Sequence, residues 1–278
     1  MPCFLYASES SSASFKYVAL PFLLALLLSF TNLRLGSPLP TTFVGFEQYS
    51  RILTEPSFLR ALRNNGVFAA VVVPVQTSLA LALALALNQP LRSMVVFRTL
   101  FFMPVVFPFA LVSVVWILIY APGPNGLLNA VLDVFTLGHW PSRDFLHDPG
   151  LALAAIMLLS VWQGIGFQMV IFLAGLQAIP KVLYESAMVD GANRWQQFLF
   201  ITIPQLRNTI IFIVLVTTIL SFRLFDQVQI MTQGGPNDAT TTVIFEAVRA
   251  AFERQQVARG AAMTVLFFII VLLFTLLQ

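Results

Sequence analysis

Five stretches of this chain are each apolar over about the width of a lipid bilayer, and this limits what it can fold into. They lie at residues 67–87, 100–120, 151–173, 209–225 and 261–277. A helix needs roughly 20 apolar residues to cross a ~30 Å hydrocarbon layer. The 209–225 run is the shortest of the five and is extended upstream by apolar residues 201–204. A sixth run, residues 17–30, is 14 residues long. Backbone amides in lipid must find partners within the protein, so these runs are expected as helices and not as open strands. Alternation at period two, the mark of an outer-membrane barrel, is missing. Composition agrees: the chain is 58% hydrophobic and 10% charged, with mean hydropathy +0.86, where soluble domains carry about 25% charged residues. An all-α, polytopic membrane protein with six helices, five of them of full length, is expected.

The same composition excludes several kinds of chemistry. The net charge of +3 is small and spread along the chain, so no nucleic-acid surface is expected. Cys3 is the single cysteine, which leaves no internal disulfide framework. His139 and His147, the only histidines, share one loop and give a metal or catalytic centre little to work with. A GxxxxGK[ST] phosphate loop, H-E-x-x-H and a GxSxG elbow are all missing. The chain is therefore expected not to be an enzyme. An ion-coupled carrier would want a carboxylate at mid-span, and none of the twelve acids is placed there. Residues 1–15 are serine-rich without a basic n-region, a poor fit to a cleavable signal. They form an atypical N-terminal segment ahead of a transmembrane domain at 16–278.

Interruptions in the runs mark where helices bend. Pro74 lies in the 67–87 run, Pro104 and Pro108 in the 100–120 run, and Gly164 and Gly166 are expected to break the 151–173 run, beside Gln163 and Gln168. Those two carboxamides are costly in lipid unless paired. Arg223 and Asp226, three residues apart, are expected to pair on one helix face. By the positive-inside rule the 88–98 loop, with Arg92 and Arg98 and no acid, is cytoplasmic, and the 121–150 loop is external. The arginine count runs against this. Arg34, Arg51, Arg60, Arg63, Arg143, Arg249, Arg254 and Arg259 all fall outside, against five basic residues inside. Glu47, Glu55, Glu246 and Glu253 balance several of them on amphipathic surface helices, one expected over 241–260.

One polar island stands out, "YESAMVDGANRWQQF" at residues 184–198. Pro180 can open a helix at its first position. Gly191 follows Asp190 where a left-handed cap would end it, and Asn193 is a suitable N-cap for a second helix. A helix–turn–helix across the membrane face is expected. Its small residues Ala187, Gly191 and Ala192 would let another protein surface come close to the backbone.

The spacing Glu185-Ser186-Ala187, then Gly191, Ile201 and Pro204 resembles the EAA loop of ATP-binding-cassette importer permeases. "FVGFEQYSRIL" at 43–53, "VFRTLFFMPVV" at 96–106, "FLAGLQAIPKVLYESA" at 172–187 and "MTQGGPNDATTT" at 231–242 are similar to the maltose-type sugar-importer permeases. They occur in the same order, over roughly residues 29–278. Ser186 stands where the family usually has alanine, and only the second half of the 17–30 run resembles the family.

The resemblance implies the type I importer permease fold in a bacterial or archaeal cytoplasmic membrane. A second homologous permease subunit, an ATPase dimer that holds the ATP and magnesium, and an extracytoplasmic solute-binding protein are its implied partners. No cofactor or metal is bound by this chain itself. Residues 180–204 are then the cytoplasmic coupling loop, touching the ATPase through Glu185, Ser186, Ala187, Asp190, Gly191, Ala192 and Arg194. The solute path is placed at Ser160, Gln163, Gly164, Thr217, Ser221 and Leu224, with Trp162 or Phe167 stacking nearby. The expected solute is a sugar, first an oligosaccharide, with glycerol-3-phosphate or another polyol as the alternative.

Overall fold

A computed structural model describes residues 19–38, 40–89, 93–123 and 126–277; the 1–15 segment, Cys3 and Arg92 lie outside them. In chain order the main helices are α1 (Leu20–Leu28), α2 (Glu47–Thr54), α3 (Pro56–Leu87), α4 (Ser93–Val106), α5 (Phe109–Ile119), α6 (Leu127–Phe135), α7 (Ala152–Gln177), α8 (Lys181–Val189), α9 (Arg194–Gln197), α10 (Arg207–Phe222), α11 (Asp226–Met231), α12 (Val243–Val248) and α13 (Val257–Leu277). Two compact units result, one from Asn64 to Thr240 and one from Met1–Arg63 with Thr241–Leu277. Among the described residues, Pro56–Leu87, Ala152–Gln177, Arg207–Met231 and Val257–Leu277 are long and apolar enough to cross a membrane, and α4 and α5 are so only when taken together as a bent pair.

In the 64–240 unit, α3 shows how a membrane helix divides its surface. Phe68, Val72, Gln76, Ala80 and Ala84 are buried at every fourth position, while Val67, Val71, Val75 and Leu79 are exposed on another face. A four-residue spacing keeps side chains on one stripe, so one stripe meets protein and the other is left for lipid. Pro74 lies inside α3 without ending it.

The 100–120 run is not one straight span. α4 and α5 meet at 102°, and the break falls at Phe107–Pro108. Proline has no N–H to donate and disfavours the helical region for the residue before it. Pro104, by contrast, lies within α4.

α7 is the most buried of the spans, and it runs unbroken through Gly164 and Gly166, against expectation. These glycines serve close approach. A Cβ at Gly166 would lie 2.0 Å from the Phe101 carbonyl oxygen, and one at Gly175 would lie 2.9 Å from Leu206. Helix backbones meet where residues are small, and a glycine inside a helix costs only about 1 kcal/mol relative to alanine. α7, α3 and α10 share a core that includes Ala80, Ala84, Met169, Phe172, Leu206 and Ile213.

The expected Arg223–Asp226 pair does not form. α10 ends at Phe222 and α11 begins at Asp226, so the two residues flank a break and do not share a helix face. Both are exposed.

In the other unit, α1 has nine described residues, about 14 Å at 1.5 Å per residue, less than half of a ~30 Å crossing. Its Phe22 ring lies 4.9 Å from that of Phe268 on α13. The single amphipathic helix expected over 241–260 is divided. α12 passes through a π-helical turn at Arg249–Glu253, and Gln255, at φ +58°, separates it from α13. Gly260 brings α13 against the Ala247 carbonyl and Ala251, where a Cβ would lie 2.7 Å from each, so the chain has to fold back.

All four glutamates of the sequence argument pair with arginines in this unit. The pairs are Glu47 with Arg51, Glu55 with Arg259, Glu246 with Arg254 at 2.6 Å and Glu253 with Arg249 at 3.0 Å. Glu246 is buried, and a buried carboxylate needs such a partner.

Candidate functional site

Within the 64–240 unit a cavity of about 600 Å³ opens between α3, the α4–α5 break, α7 and the α10–α11 junction. Ser160, Gln163, Gly164, Thr217, Ser221 and Leu224 all line it, as does Phe167. Trp162 does not. Its side chain is exposed, with the ring 5.5 Å from that of Trp116.

The hydrogen bonds of the wall are one-sided. The Gln163 Nε2 donates to the carbonyl oxygens of Phe107 at 2.7 Å and Pro104 at 3.3 Å. The Gln168 Nε2 donates to the Thr217 hydroxyl at 2.5 Å, and that hydroxyl donates to the Ile213 carbonyl at 2.7 Å. Ser160 donates its proton to the Ile156 carbonyl at 2.8 Å. Both carboxamides are thus oriented by their neighbours, because a carbonyl, or a hydroxyl already donating, can only accept. The Oε1 atoms of Gln163 and Gln168 remain buried without a partner.

Four further polar side chains line the cavity: Gln76, Gln227, Arg223 and Asp226. Gln76 and Gln227 are not among the residues expected there from the sequence. The signal for Gln76 was available, an isolated carboxamide in the apolar 67–87 run. The two charged residues of the lining are of opposite sign, so its net charge is zero.

The 180–204 loop is built as a rigid exposed unit. Pro180 caps α8 from outside, one residue earlier than the expected first helical position. At the other end Gly191 takes φ +78°. Its N–H donates to the Met188 carbonyl at 3.1 Å, and the N–H of Ala192 donates to that of Ala187 at 2.8 Å. This pair of bonds is the Schellman closure of a helix C-terminus. Asn193 then caps α9 reciprocally. Its side chain accepts from the Gln196 N–H at 2.9 Å, while the Gln196 side chain accepts from the Asn193 N–H at 2.8 Å. Such a box satisfies two orphan donors at once.

Glu185, Ser186, Asp190, Gly191 and Arg194 are exposed, and Ala187 and Ala192 half-buried. Val182, Met188 and Val189 are also exposed, an apolar surface on an otherwise polar loop. The loop is tied back by Tyr184, whose hydroxyl lies 2.9 Å from that of Thr202, and by Leu183 and Tyr184 packing on the shared core.

Comparisons with known proteins agree with this architecture. Residues 76–278 match the family described as binding-protein-dependent transport system inner membrane component. The chain is 35% identical to the trehalose/maltose transport system permease protein MalF of Thermococcus litoralis, covering 84% of this chain and 78% of that one. It is 32% identical to the diacetylchitobiose uptake system permease protein NgcF of Streptomyces coelicolor, covering 93% and 75%. A bacterial alginate transporter, solved in complex with an alginate pentasaccharide-bound periplasmic protein, superposes with TM-score 0.83 over 99% of this chain and 92% of that one, at 21% identity. The chain belongs to the binding-protein-dependent inner-membrane transport family, and it is a multi-pass permease subunit of an ATP-binding-cassette importer.

Proposed function

We propose that the cavity is the path of a neutral oligosaccharide and that the 180–204 loop is the contact through which an ATPase subunit drives it. The single observation that carries the first half is the polarity of the wall. Its two buried unpartnered polar atoms from Gln163 and Gln168 are acceptors. A sugar hydroxyl donates to such atoms, whereas a phosphate or carboxylate offers only further lone pairs. The cancelling charges of Arg223 and Asp226 add no net attraction for an anion. Relatives named for trehalose, maltose and diacetylchitobiose support the same class. Glycerol-3-phosphate, named for another relative, fits this wall less well.

In this reading ATP and magnesium are held by a partner ATPase dimer and not by this chain. A second permease subunit completes the path, and an external binding protein delivers the solute. Glu185, Ser186, Ala187, Asp190, Gly191, Ala192 and Arg194 meet the ATPase. Force applied there reaches the cavity through short links. Tyr184 holds the segment leading into α10, and the core of α3, α7 and α10 lies directly below Gln168 and Thr217. Rigid-body rocking of these helices would alternate access.

The direct test is uptake into proteoliposomes holding the whole importer, with trehalose, maltose, lactose, diacetylchitobiose and glycerol-3-phosphate as solutes. A neutral disaccharide moving fastest supports the reading, and glycerol-3-phosphate moving fastest overturns it. Ser221, buried in the wall, gives a finer check. Losing one solute bond there costs about 1–3 kcal/mol, or roughly tenfold to hundredfold in transport efficiency for Ser221→Ala. Unchanged uptake would move the contact to the partner permease.

Orientation follows from the same reading: the Glu185 loop is cytoplasmic, and the 121–150 and 233–260 segments are external. Single cysteines at Asn193 and Asn237, in a Cys3→Ser background, should label from opposite sides with an impermeant thiol reagent. Labelling of Asn193 from outside intact cells would reverse the topology.

A further inference from the structure

The break between α4 and α5 leaves two backbone carbonyls without their helical donors. In a continuous helix the Pro104 carbonyl would accept from the N–H of residue 108, but residue 108 is proline and has none, so its one backbone donor is the Phe107 N–H at 3.3 Å. The Phe107 carbonyl would accept from Leu111, but the Leu111 N–H turns to the Pro108 carbonyl at 3.1 Å. Both carbonyls are met by one side chain from a different span, although only that of Phe107 lacks a backbone donor. The Gln163 Nε2 lies 3.3 Å from the Pro104 oxygen and 2.7 Å from the Phe107 oxygen. One proton supplies the donor that the Phe107 carbonyl lacks, and the other adds to the bond that the Pro104 carbonyl accepts from Phe107. The other end of the same carboxamide, Oε1, is buried and unpartnered, on a residue only 3% exposed that lines the cavity.

We propose that Gln163 is a positioning residue that couples solute to the bend, its Nε2 clamping the broken span while its free Oε1 accepts a hydrogen bond from a solute hydroxyl. This rests on the reading of the cavity as a saccharide path. The two ends of a carboxamide are conjugated, so a donor on the oxygen polarises the group and strengthens its N–H bonds. A sugar on Oε1 therefore tightens the clamp at Pro104 and Phe107, and occupancy favours the bent form of the α4–α5 span. Linkage makes the effect reciprocal: whatever straightens the bend weakens solute binding by the same factor. The wall then reports its own occupancy to the helix that closes beside it.

The experiment uses the assembled importer in proteoliposomes, with Cys3→Ser in this chain and the partner subunits free of reactive cysteines. Spin labels go on Val96 and Leu118, two exposed positions on either arm of the bend. The distance between them is measured with and without a saturating concentration of whichever disaccharide (trehalose, maltose, lactose or diacetylchitobiose) is taken up fastest. The expected result is a distance distribution that narrows when the sugar is added to wild type and does not change when it is added to Gln163→Leu. That variant should also bind the sugar on the order of tenfold more weakly, for one lost hydrogen bond. A wild-type distribution indifferent to sugar overturns the coupling whatever the variant does, and so does narrowing that persists in Gln163→Leu. If wild type takes up none of the four sugars, the saccharide path itself is wrong and the coupling falls with it.

Discussion

Gly191→Val is expected to abolish solute uptake while leaving the protein inserted in the membrane. Packing is not the reason. A Cβ at this position would meet nothing within 4 Å. The backbone is the reason, because Gly191 sits at φ +78°. A left-handed conformation costs an L-residue roughly 1–2 kcal/mol, and a β-branched side chain is a genuine outlier there. Relaxing that strain opens the bonds to Met188 and Ala187, so α8 and α9 lose their fixed relation at the surface we assign to the ATPase. Uptake and retention of the ATPase subunit on the purified permease should fall together. Gly191→Asn separates two causes, since asparagine tolerates the left-handed region but adds bulk. Uptake kept by Asn and lost by Val marks the turn itself as essential, and loss in both marks close approach of a partner. Wild-type uptake and retention in Gly191→Val would overturn the coupling assignment.

Gly166→Val should do the opposite, removing the protein before function can be asked about. The added Cβ would meet the carbonyl oxygen of Phe101 at 2.0 Å, its carbon at 2.8 Å and the Phe102 Cα at 3.0 Å. These are backbone atoms of α4 and cannot rotate aside. Overpacking typically costs about 1–3 kcal/mol, and an obstacle of backbone puts this site at or above the upper end. The expected outcome is a strong loss of monodisperse protein on size exclusion after detergent extraction, with a lowered unfolding temperature for what remains. Gly164→Ala is the contrast. Its obstacle is the tip of the Gln76 side chain, at 2.3 Å, which can move, so folding should survive although the cavity narrows. Equal damage from both would mean that α4 and α7 do not cross as closely as described.

Much of this was legible in the sequence, for identifiable reasons. The spans follow from apolar length, and the capped loop follows from Pro180, Gly191 and Asn193, three residues whose local preferences act without help from the rest of the fold. The six proposed path residues, placed by the family resemblance and counted from its motifs, line one cavity. Other features depend on what another helix does. Gly164 and Gly166 read as breaks when the chain is taken alone, but α4 lies across them. Pro104 and Pro108 look alike on paper, yet only Pro108 ends a helix, with the amide of Gln163 meeting the freed Phe107 carbonyl. The Arg223–Asp226 spacing predicted a pair only on the assumption of a continuous helix. Likewise the 241–260 helix was divided by Gly260 folding α13 back onto Ala247, a contact that periodicity does not reveal.

The closure of the 180–197 loop by its own side chains and turns has a thermodynamic consequence. Ordering a flexible segment costs about 1–2 kcal/mol per residue in backbone entropy alone, and a partner that seats on a disordered loop must overcome this as it binds. Here the Schellman bonds at Gly191 and the reciprocal cap at Asn193 have already met that cost within the free chain. Association at this face should therefore lack the large heat-capacity change of coupled folding and show only the smaller one due to covering Val182, Met188 and Val189. A calorimetric titration would see a rigid key and not a chain being wound.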